Sequence, residues 1–167
     1  MFRVRFLSLL ALLLATTAGC RSVSVDSTHD DSVDFSQFRT YDWLSLPLTS
    51  PTAAKDETVV GALATLLEKR GFKHSKDLPD LLVAVHRTIE GTLNTKGSGY
   101  EFRDGRLRTY ALQQGSLVID IVSAKNKETV WRSSASGAFR ADQTAAERRA
   151  FIAEILGEMF DGFPPRR

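Results

Sequence analysis

Ser116-Leu117-Val118-Ile119-Asp120-Ile121-Val122, then the polar run Ala124-Lys125-Asn126-Lys127-Glu128, then Thr129-Val130-Trp131-Arg132 and the small residues up to Phe139 form the stretch that decides the fold of this 167-residue chain. The two outer segments alternate with period two and are rich in β-branched and aromatic residues, which suits half-buried strands. The run between them has the composition of a turn. A five-residue turn sets Ser123 opposite Thr129. Ile121 then meets Trp131 on one face, and Asp120 meets Arg132 on the other. Apolar pairs with apolar and charge with countercharge, which is how register is normally fixed. A slip of one residue would set Asp120 against Trp131. The stretch therefore predicts an antiparallel hairpin in the unslipped register.

More elements extend outward from this hairpin. Upstream, Asp80 to Ile89 reads as a strand with Leu81, Val83, Val85 and Ile89 on one face and Ala84, His86 and Thr88 on the other. Ser22 to Ser27 alternates small polar residues with valine, a half-buried pattern. A polar, acidic stretch follows from Thr28 to Asp34, and the aromatic-rich run Phe35 to Leu44 reads as a second strand. Ser50-Pro51 supplies a cap and a proline at the first helical position. Val59, Leu63, Leu66, Leu67 and Arg70 then share one helical face, and Gly71 supplies the left-handed stop. The last helix opens on Thr144-Ala145-Ala146-Glu147, which has capping-box spacing. It carries a stripe of Ile152, Ile155, Leu156, Met159 and Phe163, and Pro164-Pro165 forbids continuation. The expectation is an α+β two-layer sandwich: a mainly antiparallel β-sheet with two amphipathic helices on one face and the other face free. Gly91 to Arg106 has the least regular composition and reads as a loop.

The first twenty residues are a different kind of segment. Two arginines, Arg3 and Arg5, precede an apolar run from Phe6 to Ala15 and then Thr17-Ala18-Gly19-Cys20. These are the parts of an export signal. The apolar run is about half the ~20 residues that a membrane-spanning helix needs. The segment resembles a bacterial lipoprotein signal peptide, with Thr17 where leucine is commonest. The resemblance implies cleavage of residues 1–19 and acylation of Cys20, leaving 20–167 as one lipid-anchored domain. Arg21 stands where an aspartate commonly retains such proteins at the inner membrane, so it points to the periplasmic side of the outer membrane. Val23 and Val25 begin a strand pattern almost at once, leaving little tether.

Charge and cysteine content narrow the function further. The chain has 22 basic and 20 acidic side chains, and the surplus is Arg3 and Arg5 of the leader. A mature part without net charge gives no reason to expect nucleic acid as a partner. Cys20 is the one cysteine, so no disulfide within the chain supports the fold.

Several motifs taken in order resemble the envelope lipoproteins of the domain of unknown function 4136 family. They are Asp34-Phe35-Ser36 leading into Arg39-Thr40-Tyr41-Asp42-Trp43, Lys69-Arg70-Gly71-Phe72 closing the first helix, and Pro79-Asp80-Leu81-Leu82-Val83 opening a strand. Gly115 to Val122 and Val130-Trp131-Arg132 complete the set. The resemblance implies a bacterial, lipid-anchored, mixed α/β domain. It brings no reaction, cofactor or catalytic residue.

Candidate chemistry is sparse. His86 and Asp120 fall on the helix-free face with Ser134 and Ser136. A hydrolase would need such a histidine oriented by a carboxylate, with a nucleophile in reach, but no Gly-x-Ser-x-Gly elbow exists. Pairing Asp120 with Arg132 is the simpler reading. His29, His74 and His86 lack the paired spacing of zinc sites. Asp26, Asp30, Asp31 and Asp34 lack the spacing and glycine of a calcium loop. No cofactor is expected. Tyr100, Phe102, Arg103, Arg106 and Arg108 interleave aromatics with arginines, residue types favoured at recognition surfaces and at anions. They mark the Gly91–Arg108 segment, with the free sheet face, as a contact surface for an envelope protein, a lipid headgroup or a glycan. The leading expectation is thus a non-enzymatic, membrane-tethered module that binds an envelope component. The alternative is a carrier of a small amphiphile between helices and sheet, with Ala135 and Gly137 leaving space. An envelope hydrolase using His86 comes third.

Overall fold

Ile121 faces Trp131 and Asp120 faces Arg132 across two antiparallel strands of the computed structural model, which describes residues 23–44, 57–92 and 98–165. The turn between them is tighter than expected. Thr129 pairs with Val122 rather than Ser123, and the register shifts by one residue at that point. Ser123 N–H donates to Glu128 O at 2.8 Å, and Lys127 N–H donates to Ser123 O at 2.9 Å. The extra residue is Val130, so consecutive Val130 and Trp131 are both buried. Strict alternation would not allow that, and a bulge does.

The elements run β1 (Val23–His29), a 3-10 turn (Phe35–Gln37), β2 (Thr40–Trp43), α1 (Glu57–Lys69), β3 (Lys73–His74), β4 (Leu81–Thr92), β5 (Ser98–Arg103), β6 (Arg106–Ser123), β7 (Thr129–Arg140) and α2 (Ala145–Met159). The sheet has the order β1-β7-β6-β4-β2-β3, with β5 paired to β6. Pairing is antiparallel except where β2 meets β3 and β4. Those parallel pairs follow from the α1 crossover, which returns the chain to its starting end before the next strand begins. Both helices cover one face. Leu63 and Leu67 of α1 and Leu156 and Met159 of α2 bury against Ile119, Ile121 and Val83 of the sheet. The α+β sandwich expected from the sequence is the observed architecture.

Three differences from the sequence expectation have local causes. Phe35 to Leu44 is not one strand, because Asp34 Oδ1 accepts the Ser36 N–H at 3.0 Å and its hydroxyl at 2.7 Å. That carboxylate winds residues 35–37 into a 3-10 turn and sends Phe35 into the core. Phe163 is not helical: α2 ends at Met159, with Phe160 as its C-cap and Gly162 at φ +80°. Phe163 folds back onto Phe160, Phe72 and Trp131 and is buried all the same. Where it is described, the Gly91–Arg106 segment is not a loop: Gly91 and Thr92 end β4, and residues 98–106 belong to a hairpin, with Asp104 and Gly105 at positive φ forming the turn.

The start of α2 and the end of α1 match their sequence signals. Thr144 Oγ1 accepts the Glu147 N–H at 3.2 Å while Glu147 Oε2 accepts the Thr144 N–H at 2.8 Å, a complete capping box. Gly71 takes φ +90° after α1. Arg70, which the sequence sets on the apolar face, donates Nε–H to Phe163 O at 2.8 Å and Nη2–H to Phe160 O at 3.0 Å. It ties the end of α1 to the carbonyls beyond α2, a favourable place for a cation. The Ser50-Pro51 helix start, the leader and Cys20 lie outside the described residues.

Candidate functional site

The helix-free face carries His86, Asp120 and Arg132 on three neighbouring strands, as the alternation predicts. Arg132 Nε–H donates to Asp120 Oδ1 at 2.5 Å and Nη2–H to Oδ2 at 3.0 Å, a bidentate pair. Asp120 is nearly buried, and this pair holds the Arg132 guanidinium above its ordinary value. His86 Nε2 lies 3.6 Å from Asp120 Oδ2, beyond a good hydrogen bond. The carboxylate that would orient a catalytic histidine is thus committed to an arginine. Ser134 shares the face and sits opposite Val118 in the ladder.

The other histidines each have a separate acidic neighbour. His29 Nε2 lies 3.0 Å from Asp31 Oδ1, and His74 Nε2 lies 2.9 Å from Asp42 Oδ1. Asp30 and Asp34 are turn-formers: Asp30 Oδ1 accepts the Ser32 hydroxyl at 2.6 Å and its N–H at 2.8 Å. Those bonds, the hydroxyl first, hold the Asp30 carboxyl below its ordinary value. Among the described residues no three histidine, cysteine or carboxylate side chains gather where a metal ion would fit.

The five residues Tyr100, Phe102, Arg103, Arg106 and Arg108 fall on the β5–β6 hairpin. Residues 106–111 of β6 pair with β5, and the β6–β7 ladder begins only at Leu112–Arg140. The hairpin therefore runs as an arm of about 20 Å beyond that pair, at ~3.4 Å per residue. In the ladder Tyr100 pairs with Thr109, Phe102 with Leu107, Glu101 with Arg108 and Arg103 with Arg106.

One feature was only partly legible in the sequence. Between helices and sheet lies an apolar cleft of about 100 Å³ whose lining includes Ala135 and Gly137. The sequence reading named those two. It missed Gly115, Phe139, Arg87 and Arg148, which also line the cleft. The available signal was glycine inside two strands, which marks close approach or missing packing.

The sequence profile of DUF4136, a domain of unknown function, matches residues 25–165. The chain belongs to the DUF4136 family. A DUF4136 protein from Bacteroides thetaiotaomicron has the same fold at 17% identity and TM-score 0.55, the match covering 86% of this chain and 97% of that one. A PDZ domain protein from Parabacteroides distasonis matches at 12% identity and TM-score 0.55, covering 87% of this chain but 37% of that one. A minor lipoprotein from Acinetobacter baumannii matches at 16% identity and TM-score 0.46, covering 75% and 91%. These identities speak to fold alone. No curated protein matches the chain.

The motifs by which the chain resembles DUF4136 proteins hold the fold together. Asp80 Oδ2 accepts the Arg39 N–H at 2.8 Å, the Thr40 N–H at 2.9 Å and the Thr40 hydroxyl at 2.9 Å. Asp80 N–H donates back to Thr40 Oγ1 at 3.0 Å. The Arg39 N–H is the main reason the Asp80 carboxyl lies below its ordinary value. This clasp joins the start of β2 to the start of β4. Asp34 caps the 3-10 turn, and Arg70 ties the helix ends. Asp34, Arg39, Thr40, Arg70 and Asp80 of that set hold backbone segments together and do not line the cleft, whereas Gly115 does.

Proposed function

We propose that this DUF4136 chain is a non-enzymatic module of the bacterial envelope, acylated at Cys20 and held on the periplasmic side of the outer membrane. It binds another envelope component with the end of the sheet nearest its anchor. One observation carries this reading: the start of β1 and the root of the arm lie at the same end of the sheet. Val23 pairs with Gly137, Gly137 pairs with Gly115, and the arm begins four residues before Gly115 along β6. Cys20 precedes Val23 by three residues, at most about 10 Å of chain. An acyl anchor there keeps the arm within reach of the membrane surface. Confinement to that layer raises the effective concentration for partners in it. The arm carries Tyr100, Phe102, Arg103, Arg106 and Arg108, residue types that join apolar contact to anion-binding charge. Against an enzyme stand the bidentate commitment of Asp120 to Arg132 and the long His86 contact.

Native mass spectrometry of the protein extracted from its own envelope in mild detergent tests both parts. The expected mass is that of residues 20–167 plus acyl groups, with a second component bound. Replacing residues 98–111 by a two-glycine turn should release that component. An unacylated or uncleaved chain refutes the anchor, and unchanged co-purification by the shortened variant refutes the arm as contact surface.

A further inference from the structure

The two edges of the sheet are built differently. One is β3, two residues long and carrying Lys73, and a short charged edge gives a further strand little to pair with. The other is β1, the seven residues Val23-Ser24-Val25-Asp26-Ser27-Thr28-His29, with no proline, no lysine and an unbroken register along β7. Asp30 N–H donates to Val130 O at the end of that ladder. Alternation then turns the N–H and C=O groups of Val25, Ser27 and His29 toward the outer edge. Among the described residues no strand pairs with that edge, and residues 26–29 are all exposed.

The same edge forms one side of an open groove of about 550 Å³. Val25 and Ser27 line it from β1, and Glu154, Gly157, Glu158 and Asp161 line it from α2 and the turn that follows. Ser27 Oγ donates to Met159 O at 3.1 Å, tying the strand to the end of the helix. Gly157 sits inside α2, where glycine destabilises a helix relative to alanine. A Cβ there would meet nothing within 4 Å. Packing within the fold does not call for this glycine, and its missing side chain keeps the groove open beside β1.

Charge decides what can lie there. Three of the lining residues are acidic and none is basic, and Asp26 adds a carboxylate on the opposite face of β1. Glu158 holds another contact in the fold, Asp161 lies in the field of Arg70, and Glu154 is exposed. The selection therefore comes from the summed field of the wall rather than from any one carboxylate. A second copy pairing its own β1 here would bring two acidic walls together, like charge against like. A basic strand meets countercharge instead.

We propose that β1 accepts an extended segment of a partner protein as a further strand, one with lysine or arginine at alternate positions. Backbone hydrogen bonds to Val25, Ser27 and His29 supply the affinity, and the wall carrying Glu154 and Asp161 selects the basic side chains. This goes beyond the arm as contact surface, because the groove is built from β1 and α2 and uses none of residues 98–111. The test uses residues 21–167, which contain every described element and lack Cys20, so failure of the anchor is a separate result.

The probe is a fluorescein-labelled heptapeptide of alternating lysine and threonine, followed by fluorescence anisotropy beside its glutamate–threonine counterpart. The expected result is saturation at one peptide per chain, weakening as salt is raised, with the glutamate peptide at least tenfold weaker. Strand addition uses one edge of the peptide. Methylating its lysine amides and methylating its threonine amides should therefore differ, one abolishing binding and the other leaving it. Gly157→Leu fills the groove from an exposed helix position and should abolish binding, and Glu154→Lys with Asp161→Lys should weaken it at least tenfold. Circular dichroism checks that each variant folds, and the methylated peptides need no variant. No saturable binding, equal binding of the two peptides, equal effects of the two methylations, or full binding by folded Gly157→Leu overturns the proposal. So does sedimentation of the unmodified chain as a dimer that Gly157→Leu dissociates, because a second copy then holds the edge.

Discussion

Replacing Asp80 with alanine should loosen β2 from the sheet. This strand is short and meets β4 through three register pairs, Tyr41–Leu81, Asp42–Leu82 and Trp43–Val83. A ladder that short gains from a clasp at its entry. The substitution removes the acceptor of three hydrogen bonds at 2.8–2.9 Å and leaves the Arg39 and Thr40 N–H groups without their partner. Hydrogen bonds to a charged group contribute about 1.5–3 kcal/mol each when buried. The site is only partly buried, and water replaces part of what is lost. A net destabilisation of about 2 kcal/mol follows, or a fall in Tm of roughly 4–8 °C for a chain of this size. Thermal unfolding of residues 21–167 by circular dichroism measures it. The pH dependence provides a second check. The folded-state carboxyl lies below its ordinary value of 3.8, so its contribution is complete above the unfolded-state value and is lost as pH falls through the folded-state one. The Tm gap between the unmodified chain and Asp80→Ala should therefore be full at pH 7 and narrow below about pH 4. Asp80→Asn keeps one acceptor oxygen and should lose about half as much, without the pH dependence. A variant within 1 °C of the unmodified chain at neutral pH, or a gap that widens on acidification, would refute the clasp.

Other substitutions probe the rest of the fold. Gly115→Ala would set a methyl group 2.9 Å from Phe139 Cε1 and 3.0 Å from the Thr88 carbonyl oxygen, and should cost about 1–3 kcal/mol in urea unfolding as an overpacked site. Thr144→Ala removes the acceptor of the Glu147 N–H and the hydroxyl bond to Glu147 Oε2, keeping only the backbone half of the capping box, and should cost about 1 kcal/mol, with little change in the denaturant m-value. Leu63→Ala empties a fully buried position of α1 and should cost about 2–5 kcal/mol by the same assay.

Much of the architecture is legible in single residues. Asp120 and Arg132 fix the central hairpin because a slip would bury one charge against Trp131. Thr144 and Glu147 mark the start of α2, and Gly71 the end of α1, because orphaned backbone groups at helix ends accept few side-chain solutions. Elsewhere composition alone did not decide the element. Phe35 lies in a run with strand composition, but the Asp34 carboxylate turns the chain before the ladder can begin. Tyr100, Phe102 and Leu107 alternate with Glu101, Arg103, Arg106 and Arg108, but the two runs are short on either side of the Asp104-Gly105 turn, and a pattern of three residues marks a strand only weakly.

The sequence by itself determined the α+β class, the register of the β6–β7 hairpin, the end of α1 and the start of α2, because periodicity, charge pairing and caps are encoded within a few residues. Only the tertiary structure decided that Asp80 clasps Arg39 and Thr40, forty residues away in the chain, and that β2 runs parallel to β4. It alone set Val23, Gly137, Gly115 and Ile89 in one row beneath the helices. A cleft is made of residues that are absent from a layer, and which absences coincide depends on how four strands align.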